Sequence, residues 1–341
     1  MTECLVSVVV IGRNEGERLA RCLESIAGMR REGFEVETVY VDSASTDGSP
    51  DRARALGARV LEVHPERPCA AVGRNAGWRA ARGESVLFLD GDTLLHPDFV
   101  ARSLPELTGR VAVVWGHRRE SDPAASIYNR VLDLDWIYPP GSSEFCGGDA
   151  LMRRDVLEEV GGYDEGLIAG EEPEMCRRMR AKGWTIYHAD RPMTLHDLAM
   201  KSLSAWWRRA LRAGHAYAEV SERFRGTGMP LWEEDARRNV VRGGALAALL
   251  SAGVLGAIVL LAFRPALSPV PLGLAAGVVV LLAARTGWKA RWKGGGAATL
   301  FLYGLHSQLQ QLPILAGQLA QRRDARAGRR RGLIEYKGEA P

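Results

Sequence analysis

A chain of 341 residues can bury a full core and is longer than one average domain, so two parts are expected. Its 45 basic and 41 acidic residues leave a formal charge of only +4, which makes no case for a nucleic-acid partner. Five scattered cysteines (Cys4, Cys22, Cys69, Cys146, Cys176) with no CxxC pair suggest neither zinc nor a disulfide framework.

The N-terminal MTECLVSVVVIGRNE lacks a basic stretch before its apolar run and a small-residue cleavage site, so no signal peptide is expected. LVSVVVIG (5–12) is strand-like, and GERLARCLESIAG places Leu19, Cys22, Leu23 and Ile26 on one helical face. VETVYVD (36–42) is the next strand, followed by the polar turn SASTDGSPD and the helix DRARALG. RVLEV, a helix through GRNAGWRAARG, and SVLFLD (85–90) continue the series. Strands alternating with helices predict an α/β sheet with mainly parallel strands.

In such sheets ligands bind beyond the carboxyl ends of the strands. Polar clusters stand there: Asn14 and Glu15, then Asp42, then Asp90 and Asp92. GRNEGE is not GxGxxG and no P-loop occurs, which disfavours a dinucleotide site. Two carboxylates in DxD spacing can share one hard divalent cation, magnesium or manganese, that bridges to phosphate oxygens. A plain turn uses the same residues, so DGD alone does not decide.

Residues 200–225, with Trp206, Trp207, Arg208, Arg209 and Arg212 in the first half, read as an amphipathic helix suited to a membrane interface or to packing between domains. Residues 245–263 and 265–284 then form two uncharged stretches, each about long enough to cross a hydrocarbon core of roughly 30 Å. Arg237, Arg238 and Arg242 precede them and Arg285, Lys289, Arg291 and Lys293 follow, while the link holds only Arg264. Both ends are therefore expected on the cytoplasmic side. A third apolar stretch, 297–320, carries His306, Gln308, Gln310, Gln311 and Pro313 and reads as an interfacial or re-entrant helix, with a third span as the alternative. The expected divisions are 1–199, an α/β domain; 200–242, interfacial helices and linker; 243–321, a membrane region; and 322–341, a basic cytoplasmic tail that is either solvated or in contact with anionic lipid.

The ordered set VSVVVIGRNE, VYVDSASTDGS, GRNAGWRAARGESVLFLDGDT, FCGGDALMRRDVLEEVGGYDE and GEEPEMCRRMRAKGW resembles family 2 glycosyltransferases of the GT-A fold, over about residues 5–200. The resemblance implies that Asp42 accepts a hydrogen bond from a pyrimidine base, although Ser43 replaces the second aspartate of the more usual pair. It likewise implies Glu15 as a donor-site acid, Arg74 near the base or phosphates, Asp90 at the ribose or metal, Asp92 on the metal, and His196 completing the metal or diphosphate site. Gly147, Gly148 and Asp149 resemble the acceptor-side loop, where small residues admit a sugar close to the backbone.

Glu172 stands where the family carries its catalytic aspartate, with Glu171 as the alternative; acids at a helix N-terminus are also favourable in their own right. A sugar hydroxyl is a poor nucleophile at neutral pH, so a carboxylate must accept its proton. SAWWRR does not supply the Q-x-x-R-W signature of processive synthases. The activity implied is an inverting, metal-dependent transfer of one sugar from a nucleotide-sugar, UDP-sugar first, to a lipid-linked or other saccharide acceptor in cell-surface or exopolysaccharide assembly. The protein is then expected in the inner membrane, multi-pass, with its catalytic domain cytoplasmic and membrane lipid as a partner. Polyprenyl phosphate as the direct acceptor, and a non-catalytic membrane scaffold, are the alternatives.

Overall fold

The computed structural model describes residues 4–329. They fall into two compact units, 4–122 with 136–199, and 123–135 with 200–329.

The first unit opens with β1 (Cys4–Gly12), α1 (Glu17–Ala27), β2 (Phe34–Asp42), α2 (Ser49–Ala55), β3 (Arg59–Glu62), α3 (Ala70–Ala80) and β4 (Ser85–Asp90). It continues with β5 (Thr93–Leu95), α4 (Phe99–Ser103) and β6 (Val111–Glu120). The chain then lends α5 (Ile127–Asp135) to the second unit and resumes with β7 (Gly141–Ser143), β8 (Ala150–Arg153), α6 (Arg154–Val160), α7 (Glu171–Ala181) and β9 (Thr185–His196). The sheet runs β3-β2-β1-β4-β8-β6-β9-β5, with β7 on β9. Strands β3, β2, β1 and β4 are parallel, β8 is antiparallel to both β4 and β6, and β6 and β9 are parallel again.

The unbroken apolar run of β1 fits this plan, because a central parallel strand is covered on both faces. Val6, Val8, Val9 and Val10 are fully buried. Register then levels the strand ends: Gly12 pairs with Asp42 and Ile11 with Asp90, so the three polar clusters emerge side by side. Helix α3 lies close on this sheet because Gly73 and Gly77 face it; a Cβ on Gly77 would overlap the Val9 side chain and stand 3.1 Å from Val41. Cys146 and Cys176 face each other at 3.6 Å but remain thiols, as do the other three cysteines.

The second unit adds to α5 the helices α8 (Leu203–Phe224), α9 (Glu233–Phe263), α10 (Val270–Lys289), α11 (Ala297–Leu309) and α12 (Gln311–Arg326). Two segments of it, Glu233–Phe263 and Pro265–Lys293, are long and apolar enough to cross a membrane, and only 11% and 17% of their most apolar windows are buried. Helix pairs meet through glycine. A Cβ on Gly304 or Gly287 would strike the backbone of the facing helix in the α10/α11 pair, and one on Gly214 or Gly317 would do so in the α8/α12 pair. Such close backbone approach is the usual packing of helices that lack a hydrophobic drive toward one another.

The first apolar segment, 245–263, is continuous with the polar residues before it in one helix, α9, that begins at Glu233. The third apolar stretch is not one helix: it breaks at Gln310 into pieces of 13 and 16 residues, each short of the roughly 20 needed to span. His306 and Gln308 on it have internal partners. His306 accepts from Trp206 Nε1 at 2.9 Å and lies 3.3 Å from Asp135, and Gln308 Nε2 donates to Thr286 at 2.9 Å. Trp206 is thus buried in the packing of α8, and Trp207 next to it is exposed. Residues 330–341 of the basic tail lie outside the described residues.

Gly77→Ala should lower the thermal midpoint measured by circular dichroism. Overpacking costs about 1–3 kcal/mol, more than the roughly 0.5–1 kcal/mol that alanine returns in helix propensity. Gly277→Ala on α10, where a Cβ meets nothing within 4 Å, should not lower it.

Candidate functional site

One guanidinium organises the carboxyl ends of the strands. Arg74, 3% exposed on α3, donates from Nη2 to Asp90 Oδ1 at 3.1 Å and from Nη1 to Glu171 Oε1 at 3.0 Å, and its Nη1 lies 2.9 Å from Glu172 Oε1. The two glutamates open α7 after Gly170, whose φ of 88° turns the chain into the helix. Burial and then the Glu171 carboxylate push the Glu172 carboxyl up to about 7, against the lowering by Arg74. Glu172 keeps 17% of its side chain exposed against 5% for Glu171, so of the two it is the one open to a reactant.

Gly148 fits against this cluster. A Cβ there would lie 2.5 Å from Arg74 Nη2 and 3.1 Å from an Asp90 oxygen, whereas a Cβ on Gly147 meets nothing within 4 Å. Asp149 is buried beneath, accepting from the Asp90 backbone N–H at 3.1 Å and from Thr194 Oγ1 at 2.8 Å. Burial raises its pKa, against the lowering by Arg118. The hydrogen bonds from Asp90 and Thr194 tie the end of β4 to β9.

Asp90, Asp92 and His196 place ligand atoms within 4.8 Å of one another, with His196 Nε2 3.3 Å from Asp92 Oδ2. The pairing of Thr93 with His196 in the β5/β9 ladder sets this distance. Two carboxylates and an imidazole fit a divalent cation: the oxygens suit magnesium or manganese, and the nitrogen leans toward manganese.

The donor-side candidates stand around the same edge. Glu15 packs its Cγ 3.2 Å from where a Cβ on Gly91 would lie and pairs with Arg18 at 2.9 Å. Asn14, at φ 55°, accepts from Thr46 N–H at 2.8 Å and donates its own N–H to Ser45 Oγ at 2.9 Å, which ties the loops after β1 and β2 together. Asp42 is buried and accepts from Tyr40 Oη and from Ser45 N–H, both at 2.8 Å. Its carboxylate is thereby oriented by donors of the protein itself.

Sequence reasoning missed Arg118, on β6. Its Nη2 lies 3.4 Å from Asp90 Oδ2, its Nε lies 3.7 Å from Asp149 Oδ2, and its guanidinium sits 5.2 Å from the Trp136 ring centre. Trp136 in turn meets the His196 ring edge-to-face at 4.9 Å. Strand alternation could not have aimed Arg118 correctly, because the β6/β9 register shifts on both sides of His117.

Comparison with known proteins gives a consistent picture. Residues 7–161 match the family described as Glycosyl transferase family 2, and residues 85–284 match Glycosyl transferase family group 2. Glycosyltransferase AglE of Haloferax volcanii is 25% identical over 194 residues, 54% of this chain and 64% of its own. Pre-mycofactocin glycosyltransferase of Mycobacterium tuberculosis is 27% identical over 262 residues, 73% of this chain and 53% of its own. The chain thus spans between half and two thirds of the length of these curated relatives. Among solved structures, the mannosyltransferase PcManGT from Pyrobaculum calidifontis, in complex with GDP-Man and Mn2+, is similar with a TM-score of 0.57 at 20% identity, over 94% of this chain and 87% of that one. The likeness carries the fold, which is GT-A.

Gly148→Ala should destabilise the protein by about 1–3 kcal/mol, because the buried Arg74 head must shift away from Asp90. Gly147→Ala should leave the melting curve in place. Equal melting curves for the two variants would show that Arg74 is not locked where it lies.

Proposed function

The chain belongs to glycosyl transferase family 2, and on that premise we propose that it transfers a single sugar from a nucleotide-sugar to a lipid-linked or other membrane-proximal acceptor, with inversion at the anomeric carbon. The observation that carries this reading is the convergence of Glu172, Asp90 and Arg74 beside the Asp90, Asp92 and His196 group.

Glu172 is the proton acceptor in this account. A base works best when its pKa lies near the working pH, and burial with Glu171 brings Glu172 there. The acceptor hydroxyl oxygen attacks the anomeric carbon while the bond to the diphosphate oxygen breaks. The hydroxyl proton passes to Glu172, and the nucleoside diphosphate leaves with the bonding pair. Asp90, Asp92 and His196 would hold a magnesium or manganese ion, which when bound offsets the charge developing on the departing diphosphate. Arg74 holds Glu172 and Asp90 in fixed relation, so the base and the cation ligand keep a constant separation.

The segments 233–263 and 265–293 are read as a membrane hairpin with the first unit on the cytoplasmic side of the inner membrane. The basic residues that flank the pair support that orientation. Anchoring raises the effective concentration of the site at a membrane-bound acceptor, which favours a role in cell-surface polysaccharide assembly. UDP-sugar is the first donor to test, with Asp42 and its tied loops as the base-binding edge.

The experiment is nucleoside diphosphate release by the full-length protein in lipid, with membrane lipid extract as acceptor, across UDP-, GDP- and dTDP-sugars. Turnover of one donor should require manganese or magnesium, stop with chelator and vanish in Asp92→Ala. Product formed equally well by Asp92→Ala would sink the enzymatic reading and leave a scaffold.

The same assay tests the base. Because the ionised form accepts the proton, kcat/KM should rise about tenfold per pH unit toward pH 7 and level off above it. Glu172→Gln should lower the rate by about 10²–10⁴ and remove that limb. If the limb survives in Glu172→Gln, another group is the base.

A further inference from the structure

The chain carries no acidic residue between Asp235 and Asp324, and within that stretch its cations are not spread evenly. They gather at one end of the α9/α10 pair. A Cβ on Gly253 would lie 3.1 Å from Ala275 and one on Gly256 would lie 3.0 Å from Pro271, so the two helices run antiparallel in a defined register. Carried along both helices, that register brings Arg242 level with Arg285, and Arg238 level with Lys289. All four are exposed. Arg238 is paired with Asp235 at 2.6 Å, and the other three have no acid in their own stretch.

The same end holds the aromatic residues of the pair. Helix α10 continues into a 3-10 turn, Ala290–Lys293, and Trp288 and Trp292 stand 65% and 57% exposed there. The Arg291 guanidinium lies 4.2 Å from the Trp288 ring centre, and its Nη1 donates to the Trp288 carbonyl at 3.0 Å, so ring and cation form one platform. Exposed tryptophans suit the level where hydrocarbon meets headgroups. The length agrees: from Arg242 to its end α9 rises about 32 Å, at about 1.5 Å per residue, against a hydrocarbon core of roughly 30 Å. The far end, residues 255–275, holds Arg264 as its single charge and no tryptophan or tyrosine.

We propose that Arg242, Arg285, Trp288, Lys289 and Arg291 form a seat for the headgroups of anionic phospholipid, which the protein gathers around this end of the hairpin in preference to zwitterionic lipid. The inference rests on the membrane reading above and adds a chemical selectivity to it. An orienting charge bias needs only cations in the flanking loops. Here the cations stand on both helices at one depth, beside rings that fix that depth. On α10 the exposed Leu274, Val278 and Leu281 recur at helical spacing on the face that ends in Arg285 and Trp288, which offers an acyl chain an apolar track beneath its headgroup. Phosphatidylcholine offsets its phosphate with its own choline. Phosphatidylglycerol does not, and each cation near an anionic surface favours it by about fivefold.

The test reconstitutes the full-length protein in mixed vesicles of phosphatidylcholine and phosphatidylglycerol that carry a trace of either lipid spin-labelled on its acyl chain. The motionally restricted part of the electron paramagnetic resonance spectrum gives the relative affinity for each lipid. The native protein should prefer phosphatidylglycerol by about fivefold or more at low salt, and by less at high salt, where exposed charge is screened. Arg285→Gln, Lys289→Gln and Arg291→Gln combined should bring the two lipids to within about twofold of each other. Arg322→Gln, Arg323→Gln and Arg326→Gln combined, an equal loss of charge from the basic end of α12, should keep most of the preference. Both variants should still float with vesicles in a density gradient.

Equal affinity of the native protein for the two lipids would overturn the seat and leave the hairpin in place. A preference that survives the first set of substitutions would do the same. A preference lost equally in both variants would belong to overall charge and would also overturn the seat. Failure of the native protein to float with vesicles of either lipid would contradict the membrane reading and this inference with it.

Discussion

Three carboxylates from two separate parts of the chain share one buried guanidinium, and most of what is specific about the first unit exists to keep that arrangement in place. Glu171 and Glu172 come from the start of α7, Asp90 from the end of β4, and Arg74 from the middle of α3. Arg74 reaches them because Gly73 and Gly77 let its helix settle on β1 and because Gly148 leaves space for its head. The next residue, Asn75, donates to the Tyr163 carbonyl and accepts from the Tyr163 and Trp78 N–H groups, which pins the loop that leads into α7. Removing one partner of a buried ion pair costs about 3–5 kcal/mol because it strands the other charge. Here loss of Arg74 would take the shared cation from three carboxylates at once, so the geometry of the site and the stability of the unit are linked.

The second unit solves a different problem with similar means. Its helices approach backbone to backbone through glycines, and Trp206, His306 and Asp135 form a buried polar chain. Its outward faces remain apolar: Leu255, Phe263 and Leu281 are largely exposed on α9 and α10. An apolar surface of that extent calls for a partner other than water. A bilayer is the partner proposed, and it accounts for the basic residues gathered at both ends of the pair.

Much of this was readable in the residues, for reasons that also explain the failures. The alternation of short apolar runs with helical segments located β1 to β4 and their helices, because a parallel sheet covered on both faces needs continuous apolar strands. Positions at strand ends, such as Asp42, Asp90 and Asp92, were found because topology alone brings those ends to one edge. Arg118 was not, since its direction depends on a break in strand register that leaves no trace in local composition. Asp149 was read only as part of a loop, and its burial under Asp90 depends on β8 entering antiparallel between β4 and β6. In the second unit, counting apolar residues located the two long helices yet joined α11 to α12. The break at Gln310 is set by tertiary packing around His306 and by Pro313, not by hydropathy.

The claim on which the account turns is that Arg74 and Glu171 together set the charge state of Glu172. The direct measurement is a pH titration of the ¹³C carboxyl resonance of Glu172, assigned by its absence in Glu172→Gln, in the native protein and in Arg74→Gln. The account predicts a native midpoint near 7, well above an ordinary glutamate, and a higher midpoint in Arg74→Gln because the lowering contribution of the guanidinium is gone. A native midpoint in the ordinary range of about 4–5, or one that does not move in Arg74→Gln, would contradict it.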